Sequence, residues 1–417
     1  MSEFAPLGVD WLTWHSQRIY NFSEFLKING YFTNYGFSVW TSCTDCNLET
    51  KSLNEGIYLS KNLFSQLPYL LLNQFFGKDA LLSFGPIVDK LTIFLSAVIF
   101  SEIVLHLLNN KNSQQNYFLF SLVNFIFFIV NPWTYKMIIA SWYTIYFVFF
   151  IFLGIFFILK EKYLFSLFFF IISGLIDEQS SAGIIVFYII IKIIIFFKKD
   201  TFEEEKNFFL NFNKSYLNKI FLFFSLITVL NIFLRYIASY YLNNTYGSSL
   251  FYRIGISGND IHNGGILGSL QFLGGNRITN CFLKYKELLS TNSFSTDILI
   301  ATYNCSLSIL GMTVFSIISI IGVCLLYKNN SNFRFLIAPI SFLILAYIMI
   351  LQQSLSVHLM GYSYFFSIIF ALGITSILMS VLKNNKFYIT KFLIVFPCFI
   401  GLIFLCIRVN MLTGTNG

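Results

Sequence analysis

Charge is what this sequence has least of. Only 11% of its 417 residues are charged, whereas 56% are hydrophobic and Phe alone occurs 53 times. Soluble domains carry about a quarter charged residues, so this chain cannot surround its apolar side chains with a charged shell. The shortage excludes an ordinary soluble globular protein and indicates that much of the apolar surface faces lipid. The formal charge of +8 is therefore an orientation signal in a membrane, and no nucleic-acid partner is expected.

Long apolar runs take the place of the missing charge. From about residue 84 they recur at the length that crosses a hydrocarbon core, roughly 17–25 residues. They predict an all-α, polytopic transmembrane helical bundle of about ten spans. The predicted spans are Phe84–Leu108, Tyr117–Val130, Ile138–Leu159, Tyr163–Ile176, Ala182–Phe197, Ile220–Tyr241, Ser306–Tyr327, Phe335–Leu351, Tyr364–Leu382 and Tyr388–Ile407.

The Lys and Arg residues of the connections predict the orientation. Short cytoplasmic loops are enriched in these residues, and here they collect in alternate connections. With the N-terminal region outside, the short outer loops between spans carry only Lys136. The inner connections carry Lys111, Lys160, Lys162, Lys198, Lys199, Lys206, Lys214, Lys219, Lys328, Arg334, Lys383 and Lys386.

Four regions follow from this topology. Residues 1–80 form an extracytoplasmic first loop, in which Ile57–Phe76, interrupted by Pro68, is typical of a helix lying in the membrane interface. Residues 81–241 form the first helix group, 242–304 a second, glycine-rich outer loop, and 305–417 the second helix group. Because the chain begins outside with neither a cleavable signal nor a preceding span, we expect a further helix upstream of Met1.

The cysteines agree with an outer, oxidising location for the loops. Cys43 and Cys46 lie in the first outer loop, and Cys281 and Cys305 bracket the end of the second. A CxxC sequence is either a redox or metal half-site or a local disulfide. No second thiol pair or His cluster accompanies it, which favours structural disulfides, Cys43–Cys46 and Cys281–Cys305.

The densest polar sequence is GVDWLTWHSQRIYNFSEFL, near the N-terminus. In a helix from about Trp11, His15 and Arg18 share a face, and Asp10 is at the N-cap. Two interpretations stay open. Either Asp10 is a helix cap among interfacial aromatic residues, or the cluster is a catalytic site at the outer membrane face.

The layout resembles the C-fold superfamily of membrane glycosyltransferases (GT-C). The shared features are an acidic residue at the start of a long first outer loop, juxtamembrane helices and many spans. NPWTYKM at Asn131–Met137 and QQSLSVHLMGYSYFFS at Gln352–Ser367 occupy further outer turns. The resemblance implies transfer of a sugar from a polyprenyl-phosphate donor to a glycan, lipid or protein acceptor at a bacterial plasma membrane. The chain departs from it in lacking the first helix and any Asp-x-Asp or Asp-Asp pair in the first loop. No cofactor is therefore implied, and a divalent cation stays an open alternative.

The chemistry of such a transfer assigns candidate roles. A carboxylate must accept the proton of the acceptor hydroxyl, and Asp10 is the candidate base, with His15 beside it. Cations must stabilise the leaving phosphate; the candidates are Arg18, His15, Lys136, Arg235 and His358. Asp177 and Glu178 are secondary acidic candidates, or alternatively a solvated turn. Arg235 could instead extend its side chain to the membrane interface. Asp89 and Lys90 are expected to pair with interfacial groups.

Two other functions compete with sugar transfer. A transporter or flippase of lipid-linked glycans predicts charges near the bilayer midplane and broken helices in matching halves; neither is evident in the sequence, whose polar residues concentrate on one predicted face. A polysaccharide polymerase or ligase would place its essential residues in the second outer loop, where Arg253 and Arg277 keep that alternative open.

Overall fold

The fold is mainly helical, in agreement with the predicted class. The computed structural model describes residues 22–32, 37–39, 57–108, 114–131, 134, 144–176, 185, 188–189, 192–193, 215–241, 311, 313–315, 317–322, 324–325, 364–382, 396–398 and 400–407. Its helices are α1 (residues 22–29), α2 (Leu67–Leu108), α3 (Gln114–Val130), α4 (Thr144–Leu159), α5 (Tyr163–Ile176), α6 (Ser215–Tyr241) and α7 (Tyr364–Leu382). Further helical residues lie between 185 and 193, 311 and 325, and 396 and 407.

A small sheet precedes α2, and the sequence did not predict it. Strands β1 (Phe37–Val39) and β2 (Ile57–Asn62) pair antiparallel, and a 3-10 turn over Leu63–Gln66 leads into α2. The expectation of an interfacial helix over Ile57–Phe76 is therefore wrong for residues 57–62, which form a strand. The helix begins at Leu67, which puts Pro68 in its first turn, where the missing N–H has no intrahelical partner to lose.

Helix α2 reverses direction at Gly77, within the predicted first loop. Gly77 has φ 83° and ψ 176°, a conformation that side chains with a Cβ rarely adopt. The Tyr69 hydroxyl donates a hydrogen bond to Asp89, although twenty residues of straight helix would separate the two by about 30 Å. The first segment of α2 (67–76) must therefore fold back along its second segment (78–108). The proposed boundary at residue 80 lies inside this second segment.

The helices of the bundle alternate in direction. Contacts between α3 and α7 join Asn131 to Ser367 at 2.9 Å and Asn124 to Thr375 at 3.4 Å, so these two helices are antiparallel. The second segment of α2 and the start of α3 are separated by only residues 109–113. Ser101 accepts a hydrogen bond from Asn124 at 3.2 Å, so this pair is antiparallel as well.

The remaining neighbours follow the same alternation. Helix α4 runs parallel to the second segment of α2, because Tyr146 bonds Asp89 and the rings of Phe100 and Phe152 stack at 5.2 Å. Helices α4 and α5 are antiparallel, joined by the Schellman turn at residues 160–162. Helix α6 is parallel to α5: its contacts are Asn231 to the Gly174 carbonyl at 3.3 Å and the rings of Phe221 and Phe170 at 5.8 Å.

These directions define two ends of the bundle. At the Asp89 end, α4 and α7 begin, α3 and α5 end, and α6 approaches its end; its markers are Asp89, Asn131, Tyr146, Gly174 and Ser367. At the opposite, Lys160 end lies the turn of residues 160–162.

The core between the helices is largely aromatic. Phe100, Phe128 and Phe152 contact one another at the junction of α2, α3 and α4, with ring centroids 5.2–6.1 Å apart. Phe370 of α7 contacts Phe127 at 6.1 Å and Phe315 at 5.1 Å. Among the described residues, no helix is both long enough and apolar enough to cross a membrane. The predicted spans therefore stay a prediction, although α5 and α7 have the predicted bounds.

Two glycines allow α7 to lie directly against the helical residues around 319–322. A Cβ on Gly322 would lie 2.0 Å from the carbonyl oxygen of Gly373, and one on Gly373 would lie 2.8 Å from the Cα of Ser319. Both contacts are to backbone, which cannot rotate away as a side chain does. This contact requires residues without a side chain.

We predict that Gly322→Ala lowers the unfolding temperature of the protein purified in detergent. Moving the backbone to admit the methyl group should cost about 1–3 kcal/mol. Gly401→Ala is the matched control, because that helical glycine has nothing within 4 Å of its Cβ position. Equal unfolding temperatures for the two variants would contradict the close approach of these helices.

Candidate functional site

A buried carboxylate is the first feature of the Asp89 end. Asp89, on the second segment of α2, is 2% exposed. Its Oδ1 accepts hydrogen bonds from the hydroxyls of Tyr69 and Tyr146, the latter at 2.5 Å. The two rings meet edge to face at 5.7 Å. Since a buried charge is costly unless hydrogen-bonded, two hydroxyls that donate to one oxygen favour a carboxylate here.

Tyr69 is held in its donating form by its surroundings. It is completely buried, and burial, followed by the neighbouring Tyr146 and Asp89, raises the pKa of Tyr69 well above its usual value. The phenol therefore stays protonated and donates to Asp89. Three chain segments meet at this point: the first segment of α2, the second segment of α2, and α4.

Helix α1 is fastened to the first segment of α2 by polar contacts. The Ser23 hydroxyl donates to the carbonyl of Tyr69 at 3.2 Å. Lys27 donates to the backbone and side-chain oxygens of Asn73 at 3.0 and 3.2 Å, and the Asn73 amide donates to Glu24 at 2.7 Å. A small apolar cluster supports these bonds; its buried members are Phe22, Phe25, Leu26 and Leu70. We call α1 together with residues 63–76 the N-terminal unit.

The second feature of this end joins the two sequence motifs of the outer turns. Asn131, the first residue of NPWTYKM, donates to the carbonyls of Phe127 and Phe128 at 2.8 and 2.6 Å, and so caps the end of α3. Its Oδ1 accepts from Ser367 at 2.9 Å, and Thr134 donates to Ser367 at 2.7 Å. All three polar side chains of this junction are fully buried. Residues more than 230 positions apart are thus brought together.

Most of the predicted site residues lie outside the described residues. These are Asp10, His15, Arg18, Lys136, Asp177, Glu178 and His358, together with Cys43, Cys46, Cys281 and Cys305. For Arg235 the structure gives the backbone, in α6, four residues beyond Asn231. Among the described cysteines, Cys324 and Cys398 are exposed thiols and Cys406 is a buried one.

The helix ends next to these residues are nevertheless described, and they share the Asp89 end. Helix α3 ends at Val130, six positions before Lys136, and α5 ends at Ile176, directly before Asp177. Helix α7 begins at Tyr364, six positions after His358. Phe22, the first described residue of α1, follows Arg18 by four positions.

Sequence reasoning missed the role of Asp89. Pairing with interfacial groups was expected, and the structure corrects this: the side chain points into the bundle, to two tyrosines of other segments. A lone acid in an apolar run was the available signal. Its partners, 20 and 57 positions away, depend on the reversal at Gly77 and on the parallel contact between α2 and α4.

Comparisons with known proteins do not extend this description. Neither the profiles of known protein families, nor curated protein sequences, nor solved structures gave a match to the chain. Within the described part of the chain, no group of three or more His, Cys, Asp or Glu side chains could hold a metal ion.

We predict that Asn131 and Ser367 are energetically coupled. In a double-mutant cycle, Asn131→Ala and Ser367→Ala should show a coupling of about 0.5–1.5 kcal/mol, because either change alone already breaks their shared hydrogen bond. Unfolding in denaturant measures the four free energies. The control pair is Asn131→Ala with Thr375→Ala, whose hydroxyl bonds Asn124 and the Ala371 carbonyl and whose effect should add independently. Coupling no larger than in the control pair would contradict the junction.

Proposed function

We propose that this protein is a membrane-embedded glycosyltransferase that moves a sugar from a polyprenyl-phosphate donor to an acceptor hydroxyl at the Asp89 end. One observation carries the proposal beyond the resemblance of layout. The directions of the described helices bring the ends of α3 and α5 and the start of α7 to the same end of the bundle. These are the ends that flank two candidate phosphate-binding residues, Lys136 and His358, and the two secondary acidic candidates, Asp177 and Glu178.

The polarity of the bundle supports a lipid environment. On α2 the outward stripe is apolar and 38–55% exposed, while the inward side carries Ser96, Ser101 and Asp89, each at most 3% exposed. Helix α6 has the same outward character. A soluble protein rarely exposes continuous apolar stripes of this size, whereas hydrocarbon solvates them. The exposed residues are Phe84, Ile87, Leu91, Phe94, Leu95 and Val98 on α2, and Leu222, Phe223, Leu226, Val229, Leu230, Phe233 and Leu234 on α6.

The proposed reaction divides the work between one carboxylate and several cations. Asp10 accepts the proton of the acceptor hydroxyl while the oxygen of that hydroxyl forms a bond to the anomeric carbon of the donor sugar. The bond from that carbon to the phosphate oxygen breaks, and the electron pair leaves with the phosphate. Arg18, His15, Lys136, Arg235 and His358 are the candidates that stabilise this negative charge. A membrane-bound donor confines the reaction to one face, and the predicted topology gives the candidate residues a common outer face.

The test uses full-length protein in nanodiscs with a panel of polyprenyl-phosphate and polyprenyl-diphosphate sugars. We predict that Asp10→Asn lowers transfer at least 100-fold, in line with the 10²–10⁴-fold contribution of a general base, without changing expression or the unfolding temperature. Mass spectrometry of the glycosylated acceptor measures the product.

Glu161→Gln is the matched control for this change. It removes the same charge from an exposed position at the Lys160 end, and transfer should be unaffected. Full transfer by Asp10→Asn would remove Asp10 from the base role. Wild-type protein that transfers none of the donors would contradict the proposed function itself.

A further inference from the structure

We propose that Asp89 is a positioning residue: through Tyr69 and Tyr146 it docks on the bundle the N-terminal unit, which follows the segment of Asp10, His15 and Arg18 in the sequence. This inference rests on the proposed function for its catalytic consequence. The docking itself rests only on described contacts.

Tyr69 connects the two parts of the molecule. Its backbone carbonyl accepts the hydrogen bond of Ser23 from α1, and its hydroxyl donates to Asp89 of the bundle. Its ring is completely buried and lies edge to face against Tyr146. A displacement of Tyr69 therefore moves α1, whose first described residue follows Arg18 by four positions.

The reversal at Gly77 makes this connection necessary. A folded-back helical segment has few covalent restraints, since one residue with φ 83° joins it to the rest of α2. Noncovalent contacts must fix its angle. The Asp89 carboxylate supplies two hydrogen bonds at a single oxygen, one to each side of the contact between the N-terminal unit and α4.

A charged group suits this purpose better than an apolar one. Hydrogen bonds to a carboxylate are shorter and stronger than those between neutral groups, and they fix the directions of both donors. An apolar residue would fill the space, but it would leave two tyrosine hydroxyls buried without their acceptor. The expected use of the buried charge is therefore a defined position of the N-terminal unit, a hypothesis of conformational specificity.

The closing experiment measures docking and catalysis separately, in full-length protein in nanodiscs. Hydrogen–deuterium exchange followed by mass spectrometry reports the docking of residues 22–32 and 63–76. The variants are Asp89→Leu, the milder Asp89→Asn, which retains an acceptor oxygen, and Tyr69→Phe. Asp79→Asn is the matched control, because Asp79 lies on the same segment of α2 and is exposed.

We expect Asp89→Leu to raise exchange at least 10-fold in residues 22–32 and 63–76, with α3 and α7 unchanged. Its kcat for sugar transfer should fall 10- to 100-fold, in keeping with the cost of a displacement of about 1 Å in a reacting group. The KM for the donor should change less than kcat. Asp89→Asn and Tyr69→Phe should be intermediate, and Asp79→Asn should match the wild type.

Three results would overturn the inference: unchanged exchange in the N-terminal unit, a rise that spreads equally over α3 and α7, or local loosening with wild-type kcat. The second would mean that Asp89 supports the whole core and has no local positioning role. If wild-type protein transfers no sugar while exchange rises locally in Asp89→Leu, the docking stands and only the proposed function fails.

Discussion

The structure depends on one constraint: its helices present apolar side chains outward, so polar groups must find their partners inside the bundle. The described internal contacts supply such hydrogen-bond partners. Asp89 has two tyrosine hydroxyls, Asn131 has the last carbonyls of α3 and the Ser367 hydroxyl, and Asn124 lies between Ser101 and Thr375. The bonds to the α3 carbonyls cap that helix, whereas the others join different segments of the described bundle. Those intersegment bonds set helix direction and register in a way that aromatic packing, which tolerates sliding, does not.

The sequence predicted those elements whose bounds are set by neighbouring residues, and it failed for those that depend on distant partners. Predominantly apolar runs gave the bounds of α5 and α7 correctly. Charged residues stop the first run at both ends, because Lys162 precedes Tyr163 and Asp177 follows Ile176. The region before α2 failed for the converse reason. Ile57–Phe76 mixes apolar and polar residues without a clear period, and its strand depends on pairing with Phe37–Val39. Strand pairing is a tertiary fact that no short window contains.

The sequence predicts a shared face for the candidate site residues, and that face stays a prediction because most of them lie outside the described part of the chain. Lys and Arg counts assigned the loops to one side, and the helix directions independently bring the flanking helix ends to one end of the bundle. The same reasoning could not identify Tyr69 and Tyr146 as partners of Asp89. Their convergence depends on the backbone conformation at Gly77, which the presence of a glycine permits but does not predict. It also depends on contact with the parallel helix α4, which is separated from α2 in the sequence by α3. Side-chain contacts between residues far apart in the sequence, such as those of Asp89, therefore could not be predicted from the sequence alone.

The burial of Asp89 distinguishes its proposed use from that of Asp10. A general base must come within hydrogen-bond reach of the acceptor hydroxyl. Asp89 is 2% exposed, and its Oδ1 already accepts two phenolic hydrogen bonds. An acceptor hydroxyl that approached this oxygen would compete with both phenols. Under the proposed function the base is instead Asp10, which precedes the N-terminal unit in the sequence. The two proposals thus give the carboxylates complementary uses: Asp89 positions the N-terminal unit, and Asp10 accepts the proton of the acceptor hydroxyl.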